Sequence, residues 1–122
     1  MNQKNIFTVI SAVLILQGLG FYFMGNQIAA DAFPGIDAAG HGAVKIMLEV
    51  MAGLSIGFGI LAYATRTTAD AVWAYTVGTA ILLCITLKHL LVDGVHVPIP
   101  AVAIQVLIVL ACGYLWMGQK KA

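Results

Sequence analysis

The chain has 122 residues, of which 61% are hydrophobic and 9% are charged, and its formal net charge is +1. Soluble domains carry about 25% charged residues, so this composition excludes an ordinary soluble fold. The small net charge, with no basic patch interleaved with aromatic side chains, gives no reason to expect nucleic acid as a partner. The length leaves room for one domain, residues 1–122.

Four long apolar runs cover residues 6–24, 43–65, 71–92 and 101–117. A spanning helix needs roughly 20 mostly apolar residues, and a backbone in lipid must satisfy its own hydrogen bonds. The sequence therefore predicts an all-α, integral membrane four-helix bundle. A signal peptide is the alternative for the first run, but that run is long for one, and Ile28 stands where a small residue is needed before a cleavage point.

The positive charges predict the orientation of these helices. If the four helices alternate, one side carries four cationic side chains and the other side carries only Lys45 and Lys88. By the positive-inside rule both termini are then cytoplasmic, as expected for a bacterial inner-membrane protein. The four residues on the richer side are Lys4, Arg66, Lys120 and Lys121.

The connections suggest how the helices are arranged. Residues 25–42 are too polar to span, so we expect a short amphipathic piece there, with a turn at Phe33-Pro34-Gly35. The loop at residues 65–70 is short, which predicts that the second and third helices form an antiparallel pair. Cys84 and Cys112 belong to no CxxC or zinc-type motif, and we interpret them as small buried core residues.

The second helix has an informative stripe. Lys45, Glu49, Gly53 and Gly57 recur every four residues, so they share one face. Gly53 and Gly57 form a small-xxx-small pattern, which lets two helices approach closely. We therefore predict that these two glycines are a helix-packing site.

Polar side chains recur along one face of the third helix. Polar side chains of the other helices lie at a similar depth in the membrane, which suggests a shared layer. The third-helix stripe comprises Tyr75, Thr79, Leu82, Thr86, His89 and Asp93. At about 1.5 Å per residue, each helix places one polar side chain at a comparable depth in the outer leaflet. The predicted ligand-binding site or polar layer comprises Gln17, Glu49, Lys88, His89, Asp93 and Gln105.

Three interpretations of this layer stay open. Intramembrane ionisable groups tend to pair, so Glu49 with Lys45 or Lys88, and Gln17 with Gln105, would be structural contacts. The same residues could form a ligand or partner site. A metal or haem site is the third interpretation; no ligand spacing demands it, so we predict no metal and no cofactor. Its candidate ligands are Glu49, His89, Asp93 and His96.

The run IMLEVMAGLSIGFGILAYATR, followed by LKHLLVDGVHVPIP and a last apolar helix, covers roughly the last two thirds of the chain. It resembles a bacterial family of small four-helix membrane proteins of unknown function. That family is itself similar to the DoxX-like proteins and to the scaffold that tethers ergosterol-synthesis enzymes. The resemblance implies a non-catalytic accessory or scaffold role.

The leading functional hypothesis is an accessory or scaffold subunit of a membrane complex. Its partners would be membrane lipid and either another membrane protein or further copies of the same chain. One alternative is a small oligomeric transporter or lipophilic-ligand-binding protein that uses a pocket around Glu49 and His89. Another is a metal- or quinone-dependent membrane enzyme, although no catalytic residues can be assigned.

Overall fold

The computed structural model describes residues 2–94 and 97–121, and within them the chain forms five α-helices and no strand. Four of the helices are long and apolar enough to cross a membrane. This confirms the predicted all-α fold of an integral membrane protein. His96, a candidate ligand in the metal interpretation, lies outside the described residues. The helices are α1 (Gln3–Phe23), α2 (Gly25–Ala32), α3 (Ala38–Ala64), α4 (Ala69–Leu91) and α5 (Ile99–Lys120).

Local sequence signals account for several helix starts. The side chain of Asn2 accepts a hydrogen bond from the backbone N–H of Asn5 at 3.0 Å, and Asp37 accepts one from Gly40 at 2.7 Å. Both are N-caps, which satisfy backbone donors that the first turn of a helix leaves unpaired. The start of α5 follows Pro98, and Pro100 occupies its first turn, where proline is well tolerated.

The short helix α2 occupies the connection between the first two spans. It packs back on α3, with Ala29 fully buried and Gly25 close to the side chain of Leu48. The expected turn follows it, and Gly35 there has a φ of 85°. Glycine suits this position because a residue with a Cβ rarely adopts a positive φ.

The helices form two pairs: α1 packs most extensively on α3, and α4 packs most extensively on α5. Two glycines make the first pair close. A Cβ added to Gly18 would lie 2.7 Å from the carbonyl oxygen of Ala52, and one added to Gly59 would lie 2.9 Å from that of Ser11. Both distances are too short for a real contact, so these positions require glycine.

One prediction about helix contacts is therefore corrected, and another stays a prediction. The second and third spans, α3 and α4, follow each other along the chain but are not a tightly packed pair. Among the described residues, nothing lies within 4 Å of a Cβ added to Gly53 or Gly57. Within the described chain, the close approach of α1 to α3 uses Gly59, on another face of α3, against the Ser11 carbonyl, and Gly18 of α1 against the Ala52 carbonyl.

The buried core lies toward one end of the molecule, which we call the terminal end. Gln3 donates a side-chain hydrogen bond to the carbonyl of Thr68 at 2.8 Å and accepts one from Gln119 at 3.1 Å. These bonds bring both terminal regions and the α3–α4 loop together there. The opposite end, which carries α2 and residues 92–94, is called the distal end. The core comprises Ile6, Phe7, Ile10, Ala62, Val72, Ile108 and Cys112.

The two cysteines differ in their surroundings. Cys112 is fully buried in the core, as predicted, whereas Cys84 is exposed on α4, so its predicted burial is wrong. Both are free thiols. The difference arises because α4 buries little of its surface outside its first turn, where Val72 joins the core.

Candidate functional site: an apolar cleft with a polar mouth

A cleft of about 430 Å³ separates α4 from the α1–α3 pair. One wall is the face of α4 from Ala74 to Ile85, and the other side is formed by Leu14 of α1 and Phe58 of α3. The cleft is open at its side, since Phe58 remains 53% exposed and Ile85 49% exposed. The remaining lining residues are Tyr75, Gly78, Thr79, Ile81 and Leu82.

The cleft is closed at the terminal end. The hydroxyl of Tyr75 donates a hydrogen bond to the backbone carbonyl of Phe58 at 2.8 Å, which joins α4 to α3. The ring of Phe7 meets the Tyr75 ring edge-to-face, with 5.2 Å between the ring centroids. This contact connects the closed end to the buried core.

The hydroxyl groups along α4 do not make the cleft polar. Thr79 donates its hydroxyl hydrogen bond to the carbonyl of Tyr75 one turn back, and Thr86 donates to that of Leu82. Each hydroxyl is therefore satisfied by its own helix. The stripe that reads as polar in the sequence is an apolar surface over most of its length.

A polar cluster lies at the distal end of α4. Nδ1 of His89 is 2.6 Å from Oδ2 of Asp93, and the ammonium of Lys88 is 3.4 Å from the same oxygen. His89 lies in the last turn of α4, and Asp93 lies just past the end of the helix, where its backbone N–H donates to the carbonyl of Lys88 at 3.2 Å. Gly94 follows with a φ of 66°, where the chain leaves the helical path.

Hydrogen bonding in this cluster stabilises the charged form of Asp93. The side-chain hydrogen bond from His89, assisted by Lys88, holds the pKa of the Asp93 carboxyl below its ordinary value. An ionised carboxylate only accepts hydrogen bonds, so Nδ1 of His89 carries the shared proton.

Glu49 belongs to a different surface. Its carboxylate lies 4.0 Å from the ammonium of Lys45, one turn away on the same helix. Glu49 and Phe58 are nine residues apart, which at 100° per residue places them on opposite sides of α3. Glu49 therefore does not line the cleft, and its ion pair is with Lys45 rather than Lys88.

The two glutamines of the predicted layer are partly buried between helices. Oε1 of Gln17 and Oε1 of Gln105 are both buried, and neither has a hydrogen-bond partner among the described residues. Each lies fourteen residues from the Gln3–Gln119 bond, about 21 Å along its helix, so the two are level. The structure places them at a shared depth without the direct hydrogen bond that the sequence suggested.

Sequence reasoning identified one wall of the cleft and missed the rest. Tyr75, Thr79 and Leu82 were on the predicted stripe of α4, and each lines the cleft. Leu14 and Phe58 were not identified, since an isolated apolar residue in an apolar helix gives no signal of its own. Their role depends on how α1 and α3 pack together.

No metal centre is evident in the described part of the chain, where no three side chains of the His, Cys, Asp or Glu type come together. A second depression, of about 490 Å³, lies at the terminal end beside the Gln3–Gln119 bond and includes Tyr114 and Lys121 in its lining. No ion pair of the described residues involves these side chains. The ion pairs of the described residues are Lys45–Glu49 on α3 and the cluster of Lys88, His89 and Asp93 at the distal end of α4.

Comparisons with protein-family models, with curated proteins and with solved structures find no match to this chain.

Proposed function

We propose that this chain is a small non-catalytic accessory or scaffold subunit of a bacterial inner-membrane complex, with both termini in the cytoplasm. The distribution of lysine and arginine supports this orientation. The resemblance to small four-helix membrane proteins supports the accessory role. The partner would be another membrane protein, and association between copies of the chain is the alternative arrangement.

The observation that carries the proposal is an uncovered face of α3. Gly53 and Gly57 have open space beside them in the described structure, and the apolar residues Ile46, Val50 and Ile60 share their side of the helix. Each of these three side chains is more than half exposed. In lipid, helices associate by close packing at small residues, so this face suits a helix of another subunit.

Native mass spectrometry of the protein, extracted gently from its own membranes, tests the proposal. We expect a second polypeptide at fixed stoichiometry. The double substitution Gly53→Leu and Gly57→Leu should remove that polypeptide without unfolding the chain, because neither new side chain meets its own helices.

The matched control is Gly113→Leu, which alters a glycine of α5 that also has open space beside it. This variant should keep the complex. A lone wild-type chain, or equal loss of the partner in the control, would contradict the proposal. A complex containing only further copies of the chain would replace the heteromeric partner with a homo-oligomer.

A further inference from the structure

The terminal end of the molecule gathers positive charge from three separate parts of the sequence. Hydrogen bonds at 3.1 and 2.8 Å join Gln119 to Gln3 and Gln3 to Thr68 there. Four cationic side chains each lie within two residues of a member of this hydrogen-bonded chain, whereas Asp70 is the one acid so placed. Among the described residues, none of the four belongs to an ion pair. The four are Lys4, Arg66, Lys120 and Lys121.

Aromatic side chains place these cations at the depth of lipid headgroups. Cζ of Arg66 lies 3.8 Å from the centroid of the Tyr63 ring, and the ammonium of Lys120 lies 4.2 Å from that of Trp116. Both rings belong to the last two turns of spanning helices. Tyrosine and tryptophan are enriched where a membrane meets water, at the level of the headgroups. The cations are therefore in the layer that holds the phosphates of the bilayer.

The depression of about 490 Å³ at this end offers donors to an anion. Its lining includes Tyr114 and Lys121, which are seven residues apart and so share one face of α5. A phenolic hydroxyl and an ammonium both donate hydrogen bonds, and none of the described side chains that line the depression is acidic. Gln3 also lines it, so the positive end of the α1 dipole offsets the negative end of the α5 dipole there.

An exposed apolar stripe of α5 leads into the depression. Its four residues recur at spacings of three, four and three, so they share one face. Each side chain is more than 60% exposed. The last two also line the depression. A ligand with an anionic group and hydrocarbon would match both surfaces, whereas a soluble anion would match only the depression. The stripe comprises Leu107, Leu110, Tyr114 and Met117.

We propose that the terminal end binds an anionic phospholipid. Its phosphate would occupy the depression, where the Lys121 ammonium and the Tyr114 hydroxyl donate to it, and its hydrocarbon would lie beside the exposed stripe of α5. The three other cations strengthen the attraction, as basic residues do for anionic headgroups at a membrane surface. This lipid site is separate from the Gly53 and Gly57 face. It goes beyond the accessory role and does not depend on it.

Native mass spectrometry of the delipidated full-length protein, titrated with phosphatidylglycerol, tests the charge recognition. We expect one molecule to bind at least ten-fold more tightly than phosphatidylcholine with the same acyl chains. Lys121→Gln should weaken phosphatidylglycerol binding about five-fold, the effect of one cation near the headgroups, and leave phosphatidylcholine binding unchanged. The matched control is Lys88→Gln, which removes the same charge at the distal end and should change neither affinity.

Two further measurements test the hydroxyl contact and the need for hydrocarbon. Tyr114→Phe should weaken phosphatidylglycerol binding about five-fold, the effect of one hydrogen bond. Glycerophosphoglycerol carries the same headgroup without acyl chains, so it should bind at least a hundred-fold more weakly than the lipid. Circular dichroism and thermal unfolding of each variant establish that the fold is retained.

Three results would overturn the proposal. Equal weakening by Lys121→Gln and Lys88→Gln would mean that the net charge of the protein, and not the depression, attracts the lipid. Equal affinities for phosphatidylglycerol and phosphatidylcholine would exclude recognition of an anionic headgroup. Binding of glycerophosphoglycerol as tight as that of the lipid would assign the depression to a soluble phosphate. None of these results depends on the partner of the Gly53 and Gly57 face, so the two proposals fail separately.

Discussion

The hydroxyl of Tyr75 donates a hydrogen bond to the backbone carbonyl of Phe58 at 2.8 Å, and thereby fastens α4 to α3 at the closed end of the cleft. The edge-to-face contact between Tyr75 and Phe7 adds α1 to the same point. One side chain thus connects the α1–α3 pair to the α4–α5 pair, beside the buried core.

Removing this hydroxyl should loosen the connection between the two pairs. We expect Tyr75→Phe to lower the free energy of unfolding by about 1 kcal/mol, the usual net worth of such a hydrogen bond in water or in a bilayer. Denaturant unfolding in mixed micelles measures the change. Tyr114→Phe is the control, since that side chain is 65% exposed. Equal effects of the two substitutions would show that the hydroxyl does not fasten the helices.

The glycines of α1 and α3 should respond unequally to alanine. Gly18→Ala or Gly59→Ala places a methyl group within 3 Å of a backbone oxygen and should destabilise the fold by about 1–3 kcal/mol. Gly53→Ala has open space in the isolated chain and should be neutral, or stabilising by up to about 1 kcal/mol through helix propensity. Thermal unfolding of the purified monomer compares them. If Gly53→Ala destabilised the fold and Gly18→Ala and Gly59→Ala did not, the Gly53 face of α3 would be the one that packs on α1.

The spanning helices could be predicted because a membrane requires long apolar segments. The stripe on α4 could also be predicted, because residues that share one face of a helix recur with a fixed period. Helix pairing could not be predicted in the same way. The α3 sequence offers Gly53 and Gly57 on one face and Gly59 on another, and residues 50–64 include no charged side chain that would distinguish these faces. The packing is decided by complementarity with Gly18 and Ser11 of α1, which no local pattern contains.

The predicted polar layer illustrates a second limit. Depth along each helix follows from residue number, and the level positions of Gln17 and Gln105 agree with this estimate. Rotation about each helix axis does not follow from depth. The ion pair of Glu49 is local, with Lys45. Likewise, Asp93, just past the end of α4, meets His89 and Lys88 in the last turn of that helix, so among the described residues the charged groups of the layer form two clusters rather than one network.

The Asp93 cluster makes a pH-dependent prediction. NMR titration should give Asp93 a pKa below the ordinary aspartate value, and His89→Phe should move it upward, because the His89 hydrogen bond is the main cause of the shift. Lys88→Gln should move it less, since the ammonium is 3.4 Å away. A smaller effect of His89→Phe than of Lys88→Gln would contradict the 2.6 Å contact.

The direction of the stability effect follows from the lowered pKa. The folded state holds Asp93 ionised more strongly than the unfolded state does. The contribution is therefore complete above the unfolded-state pKa and is lost as pH falls through the folded-state pKa. Acid unfolding of wild type and Asp93→Asn should converge at low pH. Curves that stay separated there would show that the substitution acts through something other than charge.

Gln17 and Gln105 provide the last prediction. A buried amide oxygen without a partner costs about 1–3 kcal/mol, whereas leucine at the same site has no polar group to satisfy. Gln17→Leu and Gln105→Leu should therefore each raise the free energy of unfolding by about 1 kcal/mol or more. Gln119→Leu is the control, because it removes the exposed bond to Gln3 and should change stability by less than about 0.5 kcal/mol. A loss of stability in either test variant would show that its amide makes a hydrogen bond in the membrane. Non-additive effects on the free energy of unfolding in the double variant would show that the two amides share one partner.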